Sequence, residues 1–328
     1  MPDKEINILI SSAGRRNNLI RYFKEEIGTR GKIYAGDMSS LAAAIHYADG
    51  FIEMPPCNDP YYFSKLKETC EKYNICSVIA LTDTELTELA KYTSELEKIG
   101  VTVVGSPYKT AECCFDKLFL YRFCERYGYH APRTYLGYDS FKSAYDMGEI
   151  DFPVYIKPRT GSASIDNTVA NTMEEVILQC ILRSDLLIQE KLEGLEIGID
   201  IYRDLISGEI ISIFSKDKIS MRSGETEKAV SAHHEGLFEM ISEFTLAMDI
   251  RGVVDIDLFV TSSGYHIIDV NPRFGGGYPL AYECGCNFPE YIINNLSGKE
   301  NTPVVGDYED GIYMLKCESL VISKDIMR

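Results

Sequence analysis

A hairpin with acidic side chains on one face is the feature of the sequence that most clearly suggests chemistry. Residues 253–260 and 265–270 each alternate apolar and polar side chains, which is typical of paired strands. A three-residue loop at 262–264 would place Asp257 opposite Asp269. Side chains two positions apart share a strand face, so four polar groups would lie together. These are Asp255, Asp257, Asp269 and Asn271.

Three carboxylates on one face repel each other unless a cation holds them. Their hard oxygen atoms suit Mg²⁺, which takes one or two carboxylates together with substrate phosphates. A solvated face of an antiparallel sheet is the alternative interpretation. Aspartate is disfavoured in strands, however, so we favour the metal site.

A second feature could bind phosphate. Lys157 ends an apolar strand that starts near Val154, and a loop of small residues follows it. Such a loop can present consecutive backbone N–H groups to phosphate oxygens while the lysine supplies charge. The motif is not a Walker A loop, and an ordinary turn is the alternative. The loop residues are Thr160, Gly161, Ser162, Ala163 and Ser164.

Residues 186–197 predict two strands joined by a short acidic segment. The backbone of such a segment could bind an adenine, and Glu196 could accept hydrogen bonds from ribose hydroxyls. A hairpin with solvated charges is equally compatible with these residues.

The fourth feature is Ser11–Arg16 after the first predicted strand, with Asp37 after the second. This arrangement resembles a dinucleotide site, but G-x-G-x-x-G is absent. An anion site at the helix N-terminus and a simply capped helix therefore both stay open.

The elements that must position these groups fall into two classes. Residues 1–110 alternate strands with helices, which predicts a parallel sheet covered by helices. The predicted strand at 77–81 is followed by Thr82, Asp83 and Glu85, a pattern that indicates helix N-cap chemistry. From Val154 onward, short strands in hairpins predict an α+β region.

Composition limits the function classes. The 328 residues include 33 Lys+Arg and 50 Asp+Glu, which gives a net charge of −17. Nucleic acid and anionic membranes are therefore not expected partners. No apolar run reaches the ~18 residues of a spanning helix, and residues 1–5 do not resemble a signal peptide. Ten cysteines without CxxC pairs are expected to be reduced, and we expect a cytoplasmic protein.

In this order, the four features resemble the ATP-grasp superfamily, and within it the carbamoyl phosphate synthetase large-subunit-like branch. The resemblance covers roughly residues 5–300, and its most specific part is 269–273, Asp-Val-Asn-Pro-Arg, similar to the family's E-x-N-x-R signature. It implies a preATP-grasp α/β domain and then a two-subdomain module with antiparallel sheets that grips ATP and Mg²⁺. The expected units are 1–110, 111–300 with a lid subdomain at about 125–190, and a C-terminal extension at 301–328.

The resemblance also implies roles for individual residues. Lys117 and Lys157 would bind the phosphates, residues 160–164 would form the mobile lid loop, and Glu196 would bind the ribose. The adenine-binding linker would be Gln189, Glu190, Lys191 and Leu192. Asp257, Asp269 and Asn271 would hold the metal, with Mn²⁺ as an alternative to Mg²⁺, and Arg273 would stabilise the transferring phosphoryl group.

One departure concerns the metal. The family usually carries Glu or Gln where this chain has Asp257 and Asp269, and the shorter side chains could weaken one of two metal sites.

The implied activity is an ATP-dependent carboxylate–amine ligase acting on small molecules. Carbamoyl phosphate synthetase-like phosphorylation of bicarbonate or carbamate, a non-catalytic ATP-binding regulator, and a dehydrogenase are the alternatives. The expectation of a single ATP-grasp copy favours the ligase, and a homodimer stays open. Candidate substrate residues are Arg16, Arg159, Arg222, Gly275, Gly276 and Gly277.

Overall fold

A five-stranded parallel sheet forms the amino-terminal domain, as the alternation of strands and helices predicted. The computed structural model describes residues 5–161, 166–317 and 319–324. The sheet has the order β3-β2-β1-β4-β5. Its elements are β1 (Asn7–Ser11), α1 (Asn17–Ile27), β2 (Ile33–Asp37), a 3₁₀ turn (Ala43–Tyr47), β3 (Gly50–Glu53), α2 (Tyr62–Lys72), β4 (Ile75–Ala80), α3 (Asp83–Ala90), α4 (Thr93–Lys98) and β5 (Thr102–Val103).

Two helices, α5 (Tyr108–Phe115) and α6 (Lys117–Tyr127), connect this domain to the rest of the chain. The break is at Asp116, whose backbone is extended and whose carboxylate accepts hydrogen bonds from the first backbone N–H groups of α6. This N-cap stabilises the start of a new helix.

A small antiparallel sheet with its own core follows. Its strand order is β6-β9-β7-β8. Its core contains Phe141, Ile156, Val176 and Ile188, which pack only with other residues of this subdomain. The elements are β6 (Thr134–Leu136), α7 (Gly137–Asp146), β7 (Val154–Pro158), β8 (Thr168–Ala170), α8 (Met173–Leu182) and β9 (Leu186–Glu190).

The third unit is a six-stranded antiparallel sheet of order β14-β13-β10-β11-β12-β15. Residues 218–228 lie in the hairpin that joins two neighbouring strands of this sheet. The elements are β10 (Leu195–Arg203), β11 (Ile210–Arg222), β12 (Glu225–Ser231), α9 (Leu237–Ala247), β13 (Gly252–Thr261), β14 (Gly264–Asn271), α10 (Tyr278–Glu283), α11 (Phe288–Leu296) and β15 (Tyr313–Leu315).

The amino-terminal domain and the large sheet share one hydrophobic core. Phe23 of α1, Tyr202 of β10 and Phe288 of α11 belong to the same buried cluster. The body of the molecule is therefore continuous, whereas the small sheet is a separately packed subdomain. All ten cysteines are free, as expected. None of the helices in the described ranges has the length and apolarity needed to cross a membrane.

Candidate functional site

A cleft of about 800 Å³ lies where the three sheets meet. Volumes of this size are typical of small-molecule sites. One wall is the small sheet, which contributes Lys157 and Gln189, and the other is the large sheet, which contributes Asp257 and Asp269. The amino-terminal domain closes one end with Arg16. The cleft therefore combines residues that are far apart in the sequence.

The acidic hairpin has the predicted pairing at its functional end. Asp257 pairs with Asp269, and Asp255 with Asn271. The turn, however, has two loop residues instead of three, because Thr261 pairs with Gly264. A register shift after Asp257 compensates for this difference. Such a bulge adds one residue to one strand. The predicted pairs are correct although the predicted turn was wrong.

Lys218 of β11 occupies the centre of the large-sheet wall. Its ammonium lies 2.5 Å from the Asp257 carboxylate and 2.9 Å from that of Glu196. The Lys218 side chain is only 3% exposed. Burial lowers its pKa, but Asp257 and Glu196 outweigh that effect, so the pKa of Lys218 is raised overall. Two predicted ATP or metal ligands are thus paired with a protein cation.

A second lysine lies deeper in the same wall. Lys216 forms an ion pair with Asp200, and both side chains are essentially inaccessible to solvent. Burial raises the pKa of Asp200, and Lys216 opposes that shift. A Cβ on Gly277 would lie 2.5 Å from Lys216 Cε, and one on Gly275 would lie 2.4 Å from the Asp255 carboxylate. These two glycines, predicted as substrate-contact residues, instead allow the chain to pass over buried charges.

Arg273 links the large sheet to the amino-terminal domain. Its guanidinium donates to Asp83 at 2.9 Å and lies 3.8 Å from Asp255. Burial lowers its pKa, but the two carboxylates outweigh this and raise it overall. Thr82 is the N-cap residue of α3, as predicted, but its side chain makes no cap hydrogen bond. Glu85, three residues on, instead accepts hydrogen bonds from Ser11, Ser12 and Tyr62.

The small-sheet wall presents a cation without a counter-ion. Lys157 is 7% exposed and has no ion-pair partner among the residues that the structure describes. Burial lowers its pKa to about 8, Asp269 opposes that shift, and Lys117 adds to it. An unpaired buried ammonium is costly, and an anionic ligand would relieve that cost.

Lys117 and the lid loop are connected on this wall. The Lys117 ammonium donates to the Gly161 carbonyl oxygen at 2.6 Å, and Thr160 and Gly161 line the cleft. The other predicted loop residues, Ser162, Ala163 and Ser164, lie outside the described residues. Arg159, predicted as a substrate residue, is not among the residues that line the cleft, and its guanidinium pairs with Asp116 at 2.7 Å.

The segment between the two sheets, which the sequence predicted as a base-binding linker, lines the cleft. It comprises Gln189, Glu190, Lys191 and Leu192, together with Glu196 on the following strand. The Gln189 amide donates to Thr134 at 2.6 Å, and Arg133 pairs with Glu190 at 2.5 Å. These contacts fix the side chains of Gln189 and Glu190.

The end of the cleft at the amino-terminal domain carries paired opposite charges. Arg16 lies 3.2 Å from Glu225, and both line the cleft together with Gly276. Burial lowers the pKa of Arg16. Arg222 was also predicted as a substrate residue. Its side chain is 65% exposed, pairs with Glu227 and is not among the residues that line the cleft.

The three predicted metal donors, Asp257, Asp269 and Asn271, all line the cleft. They include only two carboxylates, and no group of three or more His, Cys, Asp or Glu side chains within the described ranges is arranged to hold a metal ion. The Asp257 carboxylate is paired with Lys218. Among the predicted metal donors that line the cleft, the oxygen atoms of Asp269 and Asn271 then remain to bind a metal ion. This pair suits a Mg²⁺ that takes most of its ligands from nucleotide phosphates and water.

Comparison with known proteins gives two family-model matches. Residues 8–104 match a model described as the PylC-like N-terminal domain. Residues 183–319 match a model described as ATP-grasp in the biosynthetic pathway with Ter operon. The chain therefore carries an ATP-grasp domain in its carboxy-terminal part and a PylC-like N-terminal domain in its amino-terminal part. This confirms the predicted family and the order of the α/β domain and the antiparallel sheets.

Relatives and solved structures agree with that assignment. The arginine-specific carbamoyl phosphate synthase large chain of Bacillus subtilis is 20% identical over 200 residues, which cover 56% of this chain and 19% of the relative. The chain thus spans about a fifth of the length of the relatives it matches. An L-amino acid ligase from Bacillus licheniformis superposes with a TM-score of 0.71 at 16% identity, covering 91% of this chain and 75% of that chain.

A third match comes from Hydrogenobacter thermophilus. The biotin carboxylase domain of its 2-oxoglutarate carboxylase, solved with MgADP and bicarbonate, has a TM-score of 0.72 at 16% identity. The match covers 94% of this chain and 73% of that chain. At these identities the structures establish the shared fold.

Sequence reasoning missed the cations that neutralise the acidic wall. Lys216 and Lys218 are two positions apart, which is the spacing of side chains on one strand face. Glu196 and Asp200 are also an even number of residues apart in the neighbouring strand. That matching of charge and period was the available signal.

Proposed function

We propose that this protein is an ATP-dependent ligase that activates a small carboxylate as an acyl-phosphate and joins it to an amine. The observation that carries the proposal is the placement of Lys157, Asp269 and Arg273 around a single cleft. Residues 189–192, which would bind the base, line the same cleft. This arrangement could bind a nucleoside triphosphate and control the charge of its terminal phosphate.

In the proposed reaction, a carboxylate oxygen attacks the γ-phosphoryl group, and ADP leaves. The amine then attacks the acyl carbon, and phosphate leaves with the bridging oxygen. Both first reactants are anions, so the approach requires positive charge. Lys157 would neutralise phosphate oxygens, and Arg273 would stabilise charge on the transferring group. Asp83 and Asp255 hold the Arg273 guanidinium in place before substrate binds.

Asp269 and Asn271 would hold the metal. When bound, Mg²⁺ would neutralise phosphate charge and polarise the phosphoryl group. The lid loop after Thr160 would exclude water from the acyl-phosphate.

The test is Mg²⁺-dependent release of ADP and phosphate with panels of small acids and amines. We expect R273K and D269N to lower turnover by at least about 100-fold, because both change groups that meet the transferring phosphoryl group. Matched controls are R251K and D146N, whose side chains are each 57% exposed and lie outside the cleft. Equal turnover in R273K, D269N and the controls would contradict the mechanism.

Phosphorylation of bicarbonate or carbamate is the second candidate. It is favoured by the matched relatives, which are carbamoyl phosphate synthase large chains. ATP hydrolysis that depends on bicarbonate and needs no added carboxylic acid would support it. ATP binding without turnover for any acid would instead support a regulatory role.

A further inference from the structure

The Lys218 ammonium lies where a cation is needed most. Three carboxylates of the large-sheet wall, those of Asp255, Asp257 and Glu196, contribute to its electrostatic environment. It lies within ion-pair distance of the last two, at 2.5 and 2.9 Å. The side chain also lines the cleft. A fixed positive charge therefore already occupies the acidic face on which the sequence suggested divalent cations.

The local backbone makes room for this lysine. Lys218 belongs to β11 and Asp257 to β13, and β10 lies between these strands. Gly198 of β10 pairs with Asp257 on one side and with Lys216 on the other. A Cβ on Gly198 would lie 3.2 Å from Lys218 Cε and 3.1 Å from Lys216 Cε. Because Gly198 has no side chain, both lysine side chains have room to extend over β10 at this position.

Charge balance at Asp257 opposes the binding of a metal ion. Asp257 is paired with Lys218, and a divalent cation on the same carboxylate would place two cations in contact in a poorly solvated wall. The carboxylate is also one methylene shorter than glutamate, so it reaches less far into the cleft.

We propose that Lys218 replaces one of two divalent cations at this acidic face, so that the nucleotide-loaded cleft binds a single divalent cation, on Asp269 and Asn271. The inference rests on the proposed binding of ATP. Lys218 acts as a positioning residue, since it fixes Asp257 and Glu196 without a metal.

The experiment counts Mn²⁺ ions bound to the full-length chain in the presence of a non-hydrolysable ATP analogue, by electron paramagnetic resonance. We expect one Mn²⁺ per chain with the spectrum of an isolated ion. In K218M, Asp257 and Glu196 lose their cation, so we expect a second Mn²⁺ and a spin-coupled spectrum. K218R keeps the charge and should bind one Mn²⁺, as should K142M, which changes a lysine that pairs with Asp146 outside the cleft.

Two coupled Mn²⁺ ions in the wild-type chain would overturn the inference and leave the proposed ligase intact. A folded K218M that still binds one ion would also overturn it, because Lys218 would then not be what excludes the second. If K218M does not fold, the wild-type count alone decides. Equilibrium dialysis of the analogue on the same samples distinguishes the failures of the two proposals. A wild-type chain that binds no nucleotide contradicts both proposals, whereas one that binds the analogue with two Mn²⁺ ions contradicts only the inference about Lys218.

Discussion

The two walls of the cleft differ in how their charges are compensated. On the large sheet, Asp200 lies against Lys216, and Asp257 and Glu196 share Lys218, so these three carboxylates have a protein cation before any ligand binds. On the small sheet, Lys157 is buried without a carboxylate partner in the described part of the chain. The first arrangement stabilises the fold, whereas the second prepares the wall for an anion. The same residue type thus serves stability on one side and binding on the other.

The packing of the two walls follows the same division. The large sheet shares its core with the amino-terminal domain, and the small sheet packs around its own cluster. Movement of the small sheet would therefore disrupt few apolar contacts of the body. A wall that must close over a nucleotide is the one that is packed separately.

The largest expected effect is a loss of stability in the large-sheet wall. K216M removes the partner of Asp200, whose side chain is 1% exposed, and leaves an uncompensated buried charge. We expect a loss of about 3–5 kcal/mol in the free energy of unfolding, measured by urea denaturation. The double variant D200L/K216M removes both charges and should recover most of that loss. A K216M protein as stable as wild type would show that this pair does not stabilise the wall.

The same substitution on the other wall should have the opposite consequence. K157M removes a buried cation that has no partner, so the free energy of unfolding should stay equal or rise. ATP affinity should fall by about 10- to 100-fold, because a charge-assisted hydrogen bond to phosphate is lost. Isothermal titration with ATP measures this, with K142M as the exposed control. Unchanged affinity would remove Lys157 from the phosphate site.

The affinity for ATP should depend on pH through the protonation of Lys157. The pKa of Lys157 is lowered to about 8, and bound phosphate favours the protonated lysine, so ATP binding takes up a proton above that pH. We expect the Kd for ATP to rise by up to about tenfold per pH unit above pH 8 and to be flat just below it. K157R should lack this rise, because its guanidinium stays protonated. A wild-type Kd without an inflection would contradict the placement of Lys157.

Stability should respond to pH in the opposite direction. Between about pH 8 and the ordinary lysine value of 10.5, the unfolded chain binds more protons at Lys157 than the folded chain does. The contribution of this group to the free energy of unfolding therefore rises with pH across that window. Comparing wild type with K157M by urea denaturation isolates the contribution.

The smallest expected effect concerns Arg159. Its guanidinium pairs with Asp116, the N-cap residue of α6, and does not line the cleft. The Arg159 side chain is 31% exposed, and in R159Q the Asp116 carboxylate keeps its hydrogen bonds from the α6 backbone, so the substitution should cost about 1 kcal/mol or less in stability. Steady-state kinetics should show substrate KM values within about twofold of wild type, because no substrate contact is lost. A much larger KM for one substrate would return Arg159 to the binding site.

Much of this division could be predicted from the sequence. Strong periodicity placed the strands and helices of the amino-terminal domain, and the hairpin pattern placed Asp257 opposite Asp269. That pairing was correct only because the bulge after Asp257 offset the error in the turn. Local patterns specify which strands pair more reliably than they specify a bulge.

The remaining site depended on contacts between distant segments. The partner of Arg273 is Asp83, 190 residues earlier, and no local pattern predicts that contact. Arg159 and Arg222 had the right charge for a substrate site, but placement depends on which way a strand end or a turn projects. Lys216 and Lys218 were missed because their partners lie on other strands.

The most direct test of the proposed ligase reaction follows the oxygen atoms of a carboxylate substrate. The proposed reaction forms a bond between a carboxylate oxygen and the γ-phosphorus atom, and the amine later displaces phosphate together with that oxygen. With a substrate fully labelled with ¹⁸O in its carboxyl group, mass spectrometry should find one ¹⁸O in the phosphate released on each turnover. Unlabelled phosphate, formed at the same rate as the amide product, would contradict the acyl-phosphate route and with it the assigned role of Arg273.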